Sequence, residues 1–305
     1  MSYLAFLGSI ELGLIYSVMA LGVFISYRTL NTPDLTVDGS FVLGAATAAV
    51  LISGGGSPFW AILIAFAAGC AAGCVTALLN TKLRIQPLIS SILVMLALYS
   101  VNLRVMGGRA NIHLMNTPSI YHLFAETALA GFSKLVVAAI SMLIILLLLY
   151  FFLNTRLGFA LRATGDNEVM VRAAGIDSNQ MKILGLALAN GLVAASGAMI
   201  AQYQSYADAG MGVGMVVIGL ASVIIGEVIF GVKPLWRRLL AVVLGSILYR
   251  LIIAFALGRG MPATDLKLVS AVIVAVALSA GSFKDGLRKQ LSRLPYFQKR
   301  VLYHD

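Results

Sequence analysis

The stretch FSKLVVAAISMLIILLLLYFFL, residues 132–153, decides the fold, because its only charged residue is Lys134, near its start. A helix rises about 1.5 Å per residue, so about 20 apolar residues cross the hydrocarbon layer of a membrane. A window of that length predicts nine spans, which are residues 6–26, 35–53, 59–80, 87–107, 132–153, 181–203, 213–232, 238–257 and 264–281. We therefore expect an all-α polytopic membrane protein, with residues 1–305 in a single transmembrane domain.

The composition excludes a soluble protein. Hydrophobic residues make up 60% of the chain and charged residues 11%, against about 25% charged residues in an ordinary soluble domain. With a mean hydropathy of +0.95, most side chains must contact lipid or one another. The two cysteines, Cys70 and Cys74, lie beside Gly69 and Gly73 in an apolar run. That GxxxG spacing predicts a close helix contact in preference to a metal or redox site.

The basic residues predict the orientation of the chain. There are 22 Lys and Arg against 12 Asp and Glu, and 16 of the 22 fall after spans 1, 3, 5 and 7 or in the tail, residues 282–305. Because cytoplasmic segments carry an excess of Lys and Arg, we expect the N-terminus outside and the C-terminus in the cytoplasm. The tail is either a solvated segment that fixes the topology or a segment that also contacts anionic membrane lipid. The net charge of +10 is thus an orientation signal, and we expect no nucleic acid partner.

Two stretches break the apolar pattern in a similar way. They are ISYRTLNTPDLTVDGSFVLGAA, residues 25–46, and AQYQSYADAGMGVGMVVIGLAS, residues 201–222. The first follows an inward span and the second an outward span, which suggests an inverted repeat. Irregular backbone at membrane depth persists only inside protein or beside a cavity, so paired breaks with polar residues indicate a solute path. The alternative is two short turns outside the membrane.

The candidate residues of this path are polar residues and glycines. In the first break they are Asn31, Thr32, Asp34, Thr36, Asp38, Gly39 and Ser40, and in the second Gln204, Asp208, Gly210, Gly212 and Gly214. A charge inside a span is costly and marks a partner or a polar path. Glu11 and Arg250 lie at similar depth in spans 1 and 8, and we predict that they form a buried charge pair. The alternative is that Arg250 binds a carboxylate of the solute directly, as part of the substrate path.

The loop NTRLGFALRATGDNEVMVRAAGIDSNQMKILG, residues 154–185, is the most informative segment between spans. Asp166 is a candidate N-cap for a short helix over residues 167–174, which Gly175 would end. Asp177 is a candidate cap for the next helix, and two arginines of the loop, Arg162 and Arg172, are expected to be exposed. A short polar helix of this kind suits docking on another protein, although an ordinary connecting loop is the alternative.

The strings GFALRATGDN, residues 158–167, and RAAGID, residues 172–177, closely resemble the corresponding loop in permeases of ABC importers of the branched-chain amino acid type. The resemblance continues through LGLALANGLVAASGAMIAQYQ (184–204), GLASVIIGE (219–227) and LTVDGSF (35–41). It covers nearly the whole membrane region. It is nearest to the subgroup of these permeases that is named for tryptophan and tyrosine transport.

The resemblance implies the permease subunit of a binding-protein-dependent importer for a small solute, an aromatic or branched-chain amino acid. It implies an ATP-binding subunit, an extracytoplasmic substrate-binding protein and a second permease copy, identical or paralogous, in the bacterial cytoplasmic membrane. In that family the loop, here residues 154–182, contains the coupling helix that docks on the ATPase. The residues that carry over to this role are Arg162, Gly165, Asp166, Asn167, Glu168, Arg172 and Gly175.

Several motifs of other functions are absent from the sequence. It contains no GxxxxGK[ST] motif for ATP phosphates, so ATP and Mg are expected on the partner subunit. It also contains no HExxH motif, and its three histidines are scattered, so we expect neither a metal site, nor a cofactor, nor an enzyme. The alternative function is an ion-gradient-driven secondary transporter that uses Glu11, Glu227 and Arg250, because an inverted repeat fits that class as well.

Overall fold

The computed structural model describes residues 3–115, 117–122 and 132–261, together with residues 265, 268–272, 275, 276 and 279. The helices are α1 (Tyr3–Val23), α2 (Thr36–Ser53), α3 (Pro58–Thr81), α4 (Pro87–Val105), α5 (Ser133–Leu153), α6 (Arg156–Asp166), α7 (Glu168–Ala173), α8 (Ser178–Gln204), α9 (Met215–Phe230) and α10 (Leu235–Gly258). A π-helix, Phe24–Thr29, continues α1, and a 3₁₀-helix covers Ile120–His122. The predicted all-α membrane fold is confirmed.

One small sheet accompanies the helices in the described ranges. Strand β1 (Asn111–His113) pairs antiparallel with β2 (Tyr206–Asp208), and Ile112 lies opposite Ala207. We call this pair the ribbon. Strand β2 follows the end of α8, and α7 precedes the start of α8, so the ribbon and α7 lie at opposite ends of the helix bundle. We refer to these ends as the ribbon side and the loop side.

Seven described helices are long and apolar enough to cross a membrane. Each contains or overlaps one of the predicted spans, but the predicted span 213–232 is shortened to α9, Met215–Phe230. Its 16 residues extend for about 24 Å, less than the hydrocarbon layer of about 30 Å. The chain cannot be helical before α9, because Gly214 adopts a left-handed φ of +88°. Half of the predicted span 264–281 lies outside the described residues, and the tail 282–305 lies entirely outside them.

The ends of the spanning helices follow local signals. Pro58 and Pro87 are the first residues of α3 and α4, where a missing N–H group removes no helical hydrogen bond. Asp177 caps α8 as predicted, since its Oδ1 accepts a hydrogen bond from the backbone N–H of Asn179 at 2.9 Å. These residues set where three of the long helices begin.

The long helix α8 lies at the centre of the bundle, and small residues bring its neighbours close. A Cβ atom on Gly69 or Gly73 of α3 would collide with the backbone carbonyl groups of Asn190 and Leu186. The predicted close helix contact at the GxxxG spacing is therefore confirmed. Both cysteines of that segment are free thiols, and the side chain of Cys70 lies next to Gly191 of α8.

The helix α1 runs antiparallel to α8. The hydroxyl of Ser196 donates a hydrogen bond to the carbonyl oxygen of Ile15 at 2.9 Å, and Gly22 packs on Ala189 further along. Higher residue numbers on α1 thus meet lower numbers on α8. The π-helix that continues α1 consequently lies toward the loop side.

Candidate functional site

The first predicted break lies within the helix bundle. After the π-helix the chain passes through residues 30–35, where Asn31 adopts a left-handed φ of +51°, and α2 then begins at Thr36. The first turns of α2 contact Asn190 through Ser40. Asn190 lies about halfway along α8, Ser178–Gln204. α2 therefore begins near the mid-height of the bundle and runs toward the ribbon side, parallel to α8.

Five buried polar residues surround the start of α2, and we call them the Asp34 cluster: Asp34, Thr36, Ser40, Thr76 and Asn190. Asp34 accepts a hydrogen bond from the backbone N–H of Thr36 at 2.9 Å and one from Nδ2 of Asn190 at 2.7 Å. The hydroxyl of Ser40 donates to Oδ1 of Asn190 at 2.8 Å, and the hydroxyls of Thr36 and Thr76 share a hydrogen bond of 2.8 Å. Buried polar groups are costly unless they are paired in this way.

The sequence prediction missed two members of this cluster. Thr76 on α3 and Asn190 on α8 lie far along the chain from residues 31–40, and no break marks their helices. The only local signal is a single Asn inside the otherwise small and apolar string LGLALANGLVAASG, residues 184–197. An isolated amide in such a helix is a candidate for an interhelical hydrogen bond.

The second break returns the chain to the same height. After α8, Ser205 adopts a φ of +60°, the ribbon strand follows, and residues 209–214 lead to α9. The carboxylate of Asp38 accepts hydrogen bonds from the backbone N–H groups of Gly214 at 2.9 Å and Val216 at 2.8 Å. Asp38 is itself in the first turn of α2. A single carboxylate therefore lies at the N-termini of two helices, where negative charge is favoured.

The two helices then diverge. α9 runs parallel to α1 toward the loop side, because Gly219 packs on Val23 and Glu227 pairs with Arg28 further along. α2 runs toward the ribbon side. Two helices that start at the same height and run in opposite directions are the arrangement that an inverted repeat predicts.

The other predicted path residues lie at varied positions. Gly39 packs on Leu98, and its carbonyl oxygen accepts from Nδ2 of Asn102 at 3.1 Å. Gly212 packs on the Asp38 backbone, and Thr32 is buried, whereas Asn31 and Gly210 are exposed and Gln204 is partly exposed. The carboxylate of Asp208 accepts from the Gly210 N–H at 2.7 Å and lies in the ribbon. The ribbon-side half of α8 thus separates Asp208 from the Asp34 cluster.

The predicted pair of Glu11 and Arg250 is not formed, and that prediction is wrong. The hydroxyl of Tyr203 donates to Oε2 of Glu11 at 2.7 Å, whereas the guanidinium carbon of Arg250 lies 3.8 Å from the ring centroid of Tyr16. Five helical residues separate Glu11 from Tyr16, which places them about 140° apart around α1. Equal depth was the basis of the prediction, but the two groups lie on different faces of α1.

Glu227 forms a buried charge cluster instead. Its Oε2 lies 2.6 Å from Nη2 of Arg28, and its Oε1 accepts from Nε of Arg238 at 2.7 Å. The Glu227 side chain is 3% exposed. The cluster joins the π-helix to α9 and α10 on the loop side.

The loop between α5 and α8 contains two helices. The predicted cap at Asp166 is wrong by one residue, because Asp166 ends α6 and Asn167 caps α7, accepting from the Met170 N–H at 3.0 Å. The predicted end of the short helix is confirmed, since Gly175 adopts a φ of +81° after α7. Gly165 lies against the backbone carbonyl of Thr29, so α6 contacts the end of the π-helix directly.

Glu168 fixes α7 to the start of α8. Its carboxylate accepts hydrogen bonds from Lys182 Nζ at 2.8 Å, from Arg172 Nη2 at 2.6 Å and from the Ser178 hydroxyl at 3.1 Å. The hydrogen bond from Lys182 is the main cause that lowers the pKa of Glu168 below its usual 4.5, and the charge of Arg172 adds to it. Arg172 is exposed as predicted.

The exposure predicted for Arg162 is only partly correct. Its guanidinium lies over the ring of Phe159, with 4.4 Å from its central carbon to the ring centroid, and its Nε and Nη2 atoms are buried. The large apolar residues that α7 exposes are Val169 at 78% and Met170 at 71%. The outer surface of α7 thus combines two apolar side chains with a neighbouring charge pair.

Comparisons with known proteins agree with the resemblance noted in the sequence. The family described as "Branched-chain amino acid transport system / permease component" matches residues 5–278. The tyrosine transport system permease protein of Clostridioides difficile is 42% identical over 281 residues, which are 92% of each chain. An uncharacterized protein of Rickettsia prowazekii is 33% identical over 91% of this chain and 98% of its own.

A more distant relative transports a sugar. The ribose import permease protein of Escherichia coli is 28% identical over 69% of this chain and 65% of its own. No solved structure matches the chain. Since the family match covers nearly all of the helix bundle, the chain belongs to the permease components of branched-chain amino acid transport systems and is the membrane-spanning subunit of an ABC importer.

Proposed function

We propose that this permease carries an amino acid with an aromatic side chain across the bacterial cytoplasmic membrane. The solute would pass the junction where α2 and α9 begin. The relative that is 42% identical over 92% of both chains is named for tyrosine transport, which supports the solute class. The observation that carries the path is the meeting of the N-termini of α2 and α9 at Asp38.

A zwitterionic solute needs polar contacts at mid-height, where lipid offers none. The Asp34 cluster provides hydroxyl, amide and carboxylate groups there, and α2 and α9 direct the N–H groups of their first turns to the same region. Opening the path would separate α9 from Asp38 and release the N–H groups of Gly214 and Val216. Such a junction has two discrete states, closed with these hydrogen bonds and open without them.

The energy would come from a partner ATPase that holds ATP and Mg. We propose that it docks on α7, where Val169 and Met170 offer an apolar surface beside Glu168 and Arg172. This places the loop side and the tail in the cytoplasm, and it places the N-terminus and the ribbon outside. An extracytoplasmic substrate-binding protein would then dock on the ribbon side, and a second permease copy, identical or paralogous, would complete the membrane part. The chain itself would need no cofactor and no metal.

Transport by the reconstituted complex tests this function. The permease, the ATPase and the substrate-binding protein would be assembled in proteoliposomes with ATP inside, and uptake of labelled L-tyrosine would be measured. We expect uptake that needs ATP and binding protein, that excess L-phenylalanine inhibits more than ribose, and that ionophores do not reduce. ATP-independent uptake that stops when the ion gradient collapses would instead support the secondary transporter.

A further inference from the structure

Arg250 is a charged group inside the bundle without an anionic partner among the residues that the structure describes. The salt bridges of that part of the chain involve other arginines and lysines. The Nε atom of Arg250 is buried and has no hydrogen-bond acceptor. An arginine in the membrane region is costly and normally pairs with an anion or lines a polar path. The unpartnered Nε atom therefore indicates an anionic ligand that is not among the described residues.

The position of Arg250 on α10 directs it toward the protein and away from the lipid-facing stripe. It follows the buried residues Val243 and Ser246 by seven and four positions, so the three side chains share one face of the helix. The hydroxyl of Ser246 donates to the Gly13 carbonyl of α1 at 2.9 Å. Exposed apolar residues such as Leu244 and Phe255 occupy another face. A lipid phosphate is consequently a poor candidate for the missing anion.

A stack of side chains connects Arg250 to the start of α2. Its guanidinium lies on Tyr16, and the ring of Tyr16 stacks on Phe41 with 6.0 Å between centroids and 8° between planes. Phe41 follows Asp38 by three residues, so both lie on the same side of α2. The buried rings hold the plane of the guanidinium in one orientation. They also place it beside the junction that we propose as the solute path.

We propose that Arg250 binds the carboxylate group of the solute, and that Tyr16 is the positioning residue that orients its guanidinium. A guanidinium presents its Nε–H and Nη–H groups in one plane, which matches the two oxygens of a carboxylate. An acceptor at Nε would satisfy the atom that the described residues leave unpartnered. This inference rests on the proposed transport of an amino acid and adds the group that recognises its acid function.

Direct binding separates this role from a structural one. Purified permease–ATPase complex would be tested for binding of labelled L-tyrosine and of tyramine, which lacks the carboxylate. The variants are Arg250→Lys and Arg250→Gln, and Arg104→Lys on the exposed part of α4 is the matched control. We expect both Arg250 variants to weaken L-tyrosine binding about tenfold or more, since hydrogen bonds to a charged group are lost. Tyramine binding should change less than about twofold, and Arg104→Lys should resemble the wild type.

The outcomes distinguish the inference from the function on which it rests. Unchanged L-tyrosine binding by Arg250→Gln would overturn the inference alone, because the wild-type complex would still carry an amino acid. Equal loss of L-tyrosine binding and tyramine binding, with an unchanged melting temperature of the complex, would also overturn it. In that case the carboxylate would not be the group that Arg250 recognises. A wild-type complex that binds ribose and no amino acid would overturn the proposed function itself.

Discussion

The contact between Asp38 and α9 offers the most direct test of the helix junction. In Asp38→Asn one oxygen remains to accept from either Gly214 or Val216, and the other N–H group is left unsatisfied in a half-buried site. In Asp38→Ala both acceptors are lost. A hydrogen bond to a charged group contributes about 1.5–3 kcal/mol, and a helix cap contributes about 0.5–2 kcal/mol. We therefore expect a loss of about 2 kcal/mol for Asn and about 3–4 kcal/mol for Ala.

The measurement is equilibrium unfolding of the purified chain in mixed micelles of dodecyl maltoside and SDS, followed by far-ultraviolet circular dichroism. Asp208→Ala is the matched control, because Asp208 also accepts a backbone N–H, that of Gly210 at 2.7 Å, but it does so in the ribbon where water can replace it. Its loss should cost less than about 1 kcal/mol. An Asp38→Ala protein within about 0.5 kcal/mol of the wild type, below the smallest effect expected of a lost cap, would refute the capping of α9 by Asp38.

Three further perturbations test the packing and the loop. Gly73→Val should lower the free energy of unfolding by more than about 2 kcal/mol, because its side chain would collide with the α8 backbone; the same micelle assay measures this. The stabilisation that Glu168 contributes through Lys182 is complete above the usual carboxyl pKa of 4.5 and is lost as the pH falls through the lowered pKa of the folded protein. Hydrogen exchange of α7 should therefore be slow at pH 6 and should accelerate below about pH 4.5, relative to an unlinked reference peptide, because the carboxylate becomes protonated. Val169→Asp should weaken ATPase association about tenfold or more in pull-down titrations, whereas Leu83→Asp, also exposed on the loop side, should leave it unchanged.

Each of these expectations has a control and a contrary outcome. Gly258→Ala adds a methyl group where no atom lies within 4 Å, so it should be neutral, and equal damage by both glycine substitutions would contradict the packing argument. Glu168→Gln should remove the acceleration of exchange at low pH. A retained pH step in that variant would assign the titration to another group. Equal effects of Val169→Asp and Leu83→Asp on ATPase binding would locate the contact elsewhere than α7.

The features that could be predicted from the sequence are those with local causes. The spans follow from runs of apolar residues. Gly175 marks the C-terminal end of α7, Asp177 marks the start of α8, and the polar residues before α2 mark where α2 begins. Each depends on residues within one or two helical turns. The error at Asp166 is a single position, because both Asp166 and Asn167 are suitable caps and the adjacent helix α6 takes the first of them.

The features that could not be predicted depend on how helices are rotated and paired. The depth of Glu11 and Arg250 follows from counting residues, but their faces depend on how α1 packs against α5, α8, α9 and α10. Asn190 and Thr76 become part of the site only because α3 and α8 lie against the start of α2. Asp38 is predicted as a path residue from its position in the first break. Its role as the cap of α9 depends on Gly214, which lies 176 residues later in the chain and packs back against it.

The Glu168 contact has a mechanical consequence. Two residues of α8 form these contacts: Lys182 donates a hydrogen bond to Glu168, and Asn190 donates one to Asp34. Eight residues separate them along the uninterrupted helix, which is about 12 Å along its axis. α8 can therefore act as a lever. A tilt of α8 by about 5° about Lys182 would displace Asn190 sideways by about 1 Å, given the rise of the helix. That displacement would stretch the hydrogen bond between Asn190 and Asp34, which is 2.7 Å long, beyond its useful range. A small movement of α7 would thus be transmitted through α8 to the Asp34 cluster.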